Sequence, residues 1–184
     1  RIELETYDES ISLPQAWLIH GGPDSSIFKL SNKDAGVAAW ESLSAVDAAT
    51  KQLIPNVPVT AFDLQMPFVF WENAVWVKSQ RILGRPAHVF DLIPGTPVDV
   101  ASGRISQVRL FIDADFTALL RAEYFDGDGA LLRQLKVLSF KEVSGQWIPK
   151  GLEFIDSNSR EKVRFEVRAA ALNQDFPASV FDEE

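Results

Sequence analysis

Between Ile105 and Val167 almost no residues remain once strands and tight turns are assigned, and this stretch restricts the possible folds more than any other. Its last strand is the clearest. In Lys162, Val163, Arg164, Phe165, Glu166, Val167 and Arg168, apolar and charged residues alternate at period two, the pattern of a strand with one dry and one wet face. Ser106 to Asp113 shows a weaker version, with Val108, Leu110 and Ile112 on one side, Gln107, Arg109 and Asp113 on the other, and Phe111 interrupting. Leu119 to Phe125 runs into Asp126, Gly127, Asp128 and Gly129, small residues that accept positive φ and reverse the chain into Leu131 to Lys141. Ser144, Gly145 and Gln146 make the next reversal, into Trp147 to Ile155, and Ser157 to Arg160 make the one into Val163. Turns this short cannot carry the crossover of a parallel pair, so the prediction is an antiparallel meander of about five strands.

Upstream, Arg1 to Tyr7 alternates as a first strand, Ala16 to His20 is a compact apolar strand closed by Gly21, Gly22 and Pro23, and Ile27 to Leu30 follows. A chain that opens inside a strand without run-in predicts lost upstream residues, a targeting segment and an amphipathic helix among them. Ser44 caps an expected short helix through Val46, Ala49, Leu53 and Ile54, which share one face, and Pro55 stops it. Thr60 and Asp63 have capping-box spacing and place a second helix start at Ala61. Phe62, Leu64, Met66, Phe68, Val69, Phe70 and Trp71 then crowd one segment, with Pro67 ending or kinking its first turns. A segment apolar nearly all round has to lie against something apolar. Two strands follow, Ala74 to Leu83 and Pro86 to Ile93, and then a loop from Pro94 to Pro97. Phe176 to Phe181 reads as an aromatic tail that docks.

The 184 residues point to one domain. The chain is 46% apolar, with 13 Phe and 5 Trp, ample for a core or for a pocket. A net charge of −8 without a basic stripe argues against nucleic acid. With no cysteine there is no disulfide, thiolate site or cysteine nucleophile. His20 and His88 lie in strand contexts without metal-ligand spacing, and Asp113 with Asp115 sits at a strand end rather than across a cleft. The Asp126 to Gly129 loop lacks the further oxygen ligands of a calcium site and reads as a hairpin turn. No metal, cofactor or enzymatic chemistry is therefore expected. Arg160, Lys162, Arg164 and Arg168 form a basic run along one strand, a solvated face that can also meet lipid headgroups.

Several pieces taken in order resemble the LolA-like superfamily, the outer-membrane lipoprotein-sorting proteins, and within it the uncharacterised members. They are Thr60 to Phe68, Gly84 to Phe90, Arg121 to Asp126 with Gly129, Ser139 to Val143 with Gln146 and Trp147, and Asn173 to Phe181. The resemblance implies an α+β fold: a strongly curved antiparallel β half-barrel, covered on its concave face by a few helices that leave an apolar cavity. On that reading Phe62, Leu64, Met66, Phe68, Phe70 and Trp71 form a lid or plug, and Trp17, Trp76, Phe90, Tyr124, Phe140, Trp147 and Phe154 are candidate wall residues. No arginine here is matched to the one near the cavity mouth of the characterised carriers. The implied function is non-catalytic, periplasmic binding of a lipid or lipoprotein acyl chain by a carrier or sensor, with a membrane-bound release or acceptor protein as a further partner. The alternative is an interaction module with a filled core and no lipid ligand. Space between sheet and helices separates the two, because interior-density packing leaves no room for a chain.

Overall fold

The computed structural model describes residues 15–22, 25–31, 38–54 and 57–175, so the expected first strand and the aromatic tail lie outside the described residues. The chain divides into two compact units, residues 1–66 with 175–184, and residues 67–174.

In the first unit, β1 (Gln15–Gly22), β2 (Ser25–Ser31) and β3 (Ala38–Leu43) form an antiparallel sheet in sequence order. The third strand is not among the sequence expectations. Next come α1 (Ala45–Thr50), β4 (Gln52–Ile54), β5 (Val57–Thr60) and α2 (Ala61–Gln65). Ser44 caps α1 as expected, its hydroxyl accepting from the Asp47 amide at 3.1 Å. The helix is shorter than its apolar spacing suggests, because Lys51 is extended and Leu53 and Ile54 belong to β4, which pairs with β5. Pro55 has a share in this, since the residue before a proline is pushed out of the helical region.

The second helix starts at Ala61 behind a complete capping box. Thr60 Oγ1 accepts from the Asp63 amide and Asp63 Oδ2 accepts from the Thr60 amide at 2.8 Å, with both residues buried. Met66 ends it in the left-handed conformation at φ 51, and Pro67 cannot continue it.

The second unit opens with a 3-10 turn at Pro67–Phe70 and continues as β6 (Asn73–Ile82), β7 (Arg85–Ile93), β8 (Val98–Val100), β9 (Gly103–Ile105), β10 (Gln107–Asp113), β11 (Leu119–Phe125), β12 (Leu131–Val143), β13 (Gln146–Asp156) and β14 (Lys162–Glu166). Seven of these strands make one antiparallel sheet in the order β14-β13-β12-β11-β10-β7-β6. The predicted meander from β10 to β14 is present, each of its strands within two residues of its expected bounds at the described ends. The sheet is open, with β14 and β6 at its two edges. A two-stranded ribbon of β8 and β9 follows the expected loop and is not among the sequence expectations. Gly103 in it takes φ 141, and a Cβ there would meet Leu132 Cδ2 at 3.0 Å.

Candidate functional site

Residues paired directly across antiparallel strands share a face, so the register sorts the seven-stranded sheet into two. One face carries Trp76 opposite Phe90, Ala74 opposite Leu92, Val108 between Leu92 and Tyr124, Leu110 between Phe90 and Ala122, Leu135 between Ala122 and Phe154, and Phe154 opposite Val163. Val108, Ala122, Tyr124, Leu135 and Phe154 are buried. The other face carries Asp91 opposite Arg109, Arg109 opposite Glu123, Glu123 opposite Gln134, Lys136 opposite Glu153, and Glu153 opposite Arg164. Strict alternation in the sequence thus becomes one apolar and one charged surface.

The charged face is internally neutralised. Arg109 holds Asp91 through two hydrogen bonds of 2.7 and 2.8 Å, and Arg164 donates to Glu153 at 2.7 Å. The hydrogen bond to Asp91 raises the Arg109 pKa further, against the effect of its partial burial. Arg121 lies over the Phe111 ring at 4.4 Å, and Arg109 over that of Phe125 at 5.5 Å. A second apolar cluster of Ile82, Ala87, Val89, Phe111 and Leu120 includes the directly opposed pair Val89 and Phe111, which lie on this face.

The 3-10 turn places Phe68, fully buried, with its ring 5.6 Å from that of Tyr124 and 6.3 Å from that of Trp71. The neighbouring Val69 and Phe70 are 49% and 58% exposed. Trp76, on the apolar face of the edge strand β6, is 59% exposed, whereas Phe90 beside it is half-buried. Arg133 is the polar member of the face that the sequence does not announce. It stands opposite Tyr124 and Asp156, buried, with its guanidinium 3.8 Å from the Asp156 carboxylate. It alternates with Leu135 in the same register and so shares the apolar side, just before a shift between Tyr124 and Phe125 gives β12 one extra residue.

The structure therefore brings Trp76, Phe90, Tyr124 and Phe154 onto one face, with Phe68 and Trp71 joined to Tyr124 by ring contacts. Phe140 instead packs against the second cluster. Trp147 is 58% exposed, one pair away from the Ser144 and Gly145 turn. Phe62 in α2 is buried, and Leu64 and Met66 are half-buried in the first unit. Trp17 lies in β1, its side chain outside the described residues.

The remaining motifs have local roles. Asp126 Oδ1 accepts from the amides of Asp128 and Ala130 at 3.0 and 2.8 Å, which commits its carboxylate to the hairpin turn. His88 Nδ1 is hydrogen-bonded with Ser79 Oγ at 2.9 Å on exposed strands. Asp113 is fully buried and accepts from Arg85 and from the amides of Asp115 and Phe116, while Arg85 lies over the Phe116 ring at 5.1 Å. Burial alone would raise the Asp113 pKa. The hydrogen bonds from Arg85, Phe116 and Asp115 and the charge of Arg85 outweigh it and hold the carboxyl below its ordinary value. Among the described residues no group of three or more His, Asp or Glu is placed to hold a metal ion, and no helix is long and apolar enough to cross a membrane.

A family model described as an uncharacterised protein matches residues 59–184. Comparison with curated proteins found no match. Among solved structures, the chain is similar to a LolA superfamily protein from Nitrosomonas europaea at 16% identity and a TM-score of 0.67, over 97% of this chain and 86% of that one. It is similar to a DUF1329 family protein from Desulfovibrio piger at 11% identity and a TM-score of 0.67, over 86% and 69%. A putative outer membrane lipoprotein-sorting protein domain from Vibrio parahaemolyticus aligns at 13% identity and a TM-score of 0.56, over 81% and 68%. At these identities the likeness is one of fold.

Proposed function

Since this chain belongs to the family of uncharacterised proteins whose model spans residues 59–184 and has a LolA-like fold, we propose that its apolar sheet face binds an acyl chain. The acyl chain would belong to a lipid or a lipoprotein, and the protein would act without catalysis as a periplasmic carrier or sensor in outer-membrane lipoprotein sorting. On this reading the sheet supplies the wall of a half-barrel, and a membrane-bound release or acceptor protein completes the transfer.

The observation that carries the proposal is the asymmetry of the sheet. One face is charged and self-neutralised. The other is apolar and continues to an edge strand where Trp76 remains 59% exposed. Transfer of an acyl chain out of water is worth about 0.8 kcal/mol per methylene, and the apolar face offers an environment for it. Trp76, Phe90, Tyr124 and Phe154 are the proposed wall, and Phe68, Phe70 and Trp71 the proposed lid. The fully buried Phe68 against Tyr124 favours a second reading, an interaction module whose own rings fill the face.

Mass spectrometry of the purified protein, native and after organic extraction, separates the two readings. A co-purified lipid or fatty acid at near-stoichiometric amount is the expected result. A clean protein that also fails to take up a fluorescent acyl probe would leave the filled module as the better account.

A further inference from the structure

The two edges of the seven-stranded sheet are finished differently. At one edge, β14 has five residues, and Lys162, Arg164 and Glu166 alternate along it. A short strand with charges along its edge resists pairing with another chain. At the other edge, β6 has ten residues, eight of them exposed, and among the described residues it pairs with β7 alone. Its second half is defended in a similar way. Lys78 and Arg81 are exposed there, and a register shift between Trp76 and Lys78 leaves Val77 as an extra residue that bends the edge. Its first half, residues 73–77, carries no charge. Val75, Trp76 and Val77 are all exposed in it, and so are Val69 and Phe70 just before it and Ile93 opposite Asn73.

These apolar side chains lie on both sides of the strand. Ala74 and Trp76 belong to the apolar face, opposite Leu92 and Phe90, whereas Val75, opposite Asp91, belongs to the charged one. A ligand resting on the sheet covers one face only. An open row of backbone amides and carbonyls with apolar side chains above and below it fits another β-strand.

We propose that residues 73–77 pair antiparallel with the same strand of a second copy of this chain, about a two-fold axis at Val75. The stretch is complementary to itself. About this axis Val75 meets Val75 of the second copy, and the large Trp76 stands opposite the small Ala74 of the second copy on the shared apolar face. Exposed Glu72 precedes the stretch and exposed Lys78 follows it. The antiparallel arrangement therefore brings unlike charges together at both ends, where a parallel one would oppose like charges. Pairing through β6 also closes the assembly at two copies, because the other edge of each sheet is the charged β14. The dimer continues one sheet through both copies and sets their apolar faces side by side. So short a stretch buries less than the roughly 800 Å² per partner of a standard interface, which makes the association weak, with a Kd of about 1–100 µM. The inference stands on the strand edge and not on acyl binding.

The test is sedimentation velocity of the full chain from about 1 to 200 µM, which should show a reversible monomer–dimer equilibrium. Val75→Lys sets two ammonium groups against each other at the axis and should raise Kd about tenfold or more, with circular dichroism confirming that the variant folds. Lys78→Glu should weaken the dimer, and adding Glu72→Lys to it should restore the parent behaviour. The chain has no cysteine of its own. Val75→Cys should therefore give a disulfide-linked dimer on mild oxidation, whereas Lys78→Cys, about 20 Å from its counterpart across the axis, should not. A chain that stays monomeric at about 200 µM would overturn the proposal and leave the edge to a strand of a different protein. So would a folded Val75→Lys variant that dimerises like the parent, or a Val75→Cys chain that stays unlinked.

Discussion

Asp113 shows how much one side chain can organise. Its buried carboxylate joins the end of β10 to Arg85 at the start of β7 and caps the turn that follows through two amides. Asp113→Asn keeps the shape but removes the charge from these hydrogen bonds, and should cost about 1–3 kcal/mol in urea unfolding at neutral pH. The pH dependence has a definite sign. The folded protein holds this carboxyl below its ordinary value of 3.8, so it binds the proton less tightly than the unfolded chain does. The stabilisation is complete above that value and is lost as pH falls through the lower folded pKa. The gap between parent and Asp113→Asn should therefore be flat from neutral pH to about 4 and close below it. The sequence shows Asp113 and Asp115 as neighbours but not the Arg85 partner, which comes from a strand 28 residues away. Arg133 alternates with Leu135, but its partner Asp156 lies across a hairpin on β13 and is not announced by the sequence.

At the scale of elements, local chemistry was readable wherever partners lie close in sequence. The capping box of Thr60 and Asp63 is one case, and it holds a helix of only five residues. Such a helix has little cooperativity of its own, so Thr60→Ala should cost about 1–2 kcal/mol, measurable by chemical denaturation of the full chain. Tight turns at Asp126 and Ser144 were legible for the same reason. Elements set by pairing were harder to see. Leu53 and Ile54 fit a helical face, but their partner is β5 across a proline, and pairing prevails over spacing. The strands β3, β8 and β9 lack strict alternation or run to only a few residues, so their partners define them more than their own sequences do.

Across the whole molecule, the alternation of residues 105–167 was enough to foretell a sheet with one dry face, and register confirms which residues share it. Phe140 keeps the face of Lys136, Phe111 and Val89 because the two register shifts around Ser139 cancel, and it therefore joins the second cluster. The order of the strands has a further consequence, for the route by which the chain folds. From β10 to β14 every strand lies beside its predecessor, so each pairing closes only a short loop, and a loop of double length would cost only about 0.6 kcal/mol more. The pairing of β7 with β10 is the exception, since it must enclose the β8–β9 ribbon. The hairpin end of the sheet should zip first and β7 dock later. Stopped-flow chevrons would then show Leu135→Ala slowing folding and Val89→Ala chiefly speeding unfolding. As the chain is synthesised, the β6–β7 hairpin would wait with the outer edge of β7 unpaired until β10 arrives to receive it.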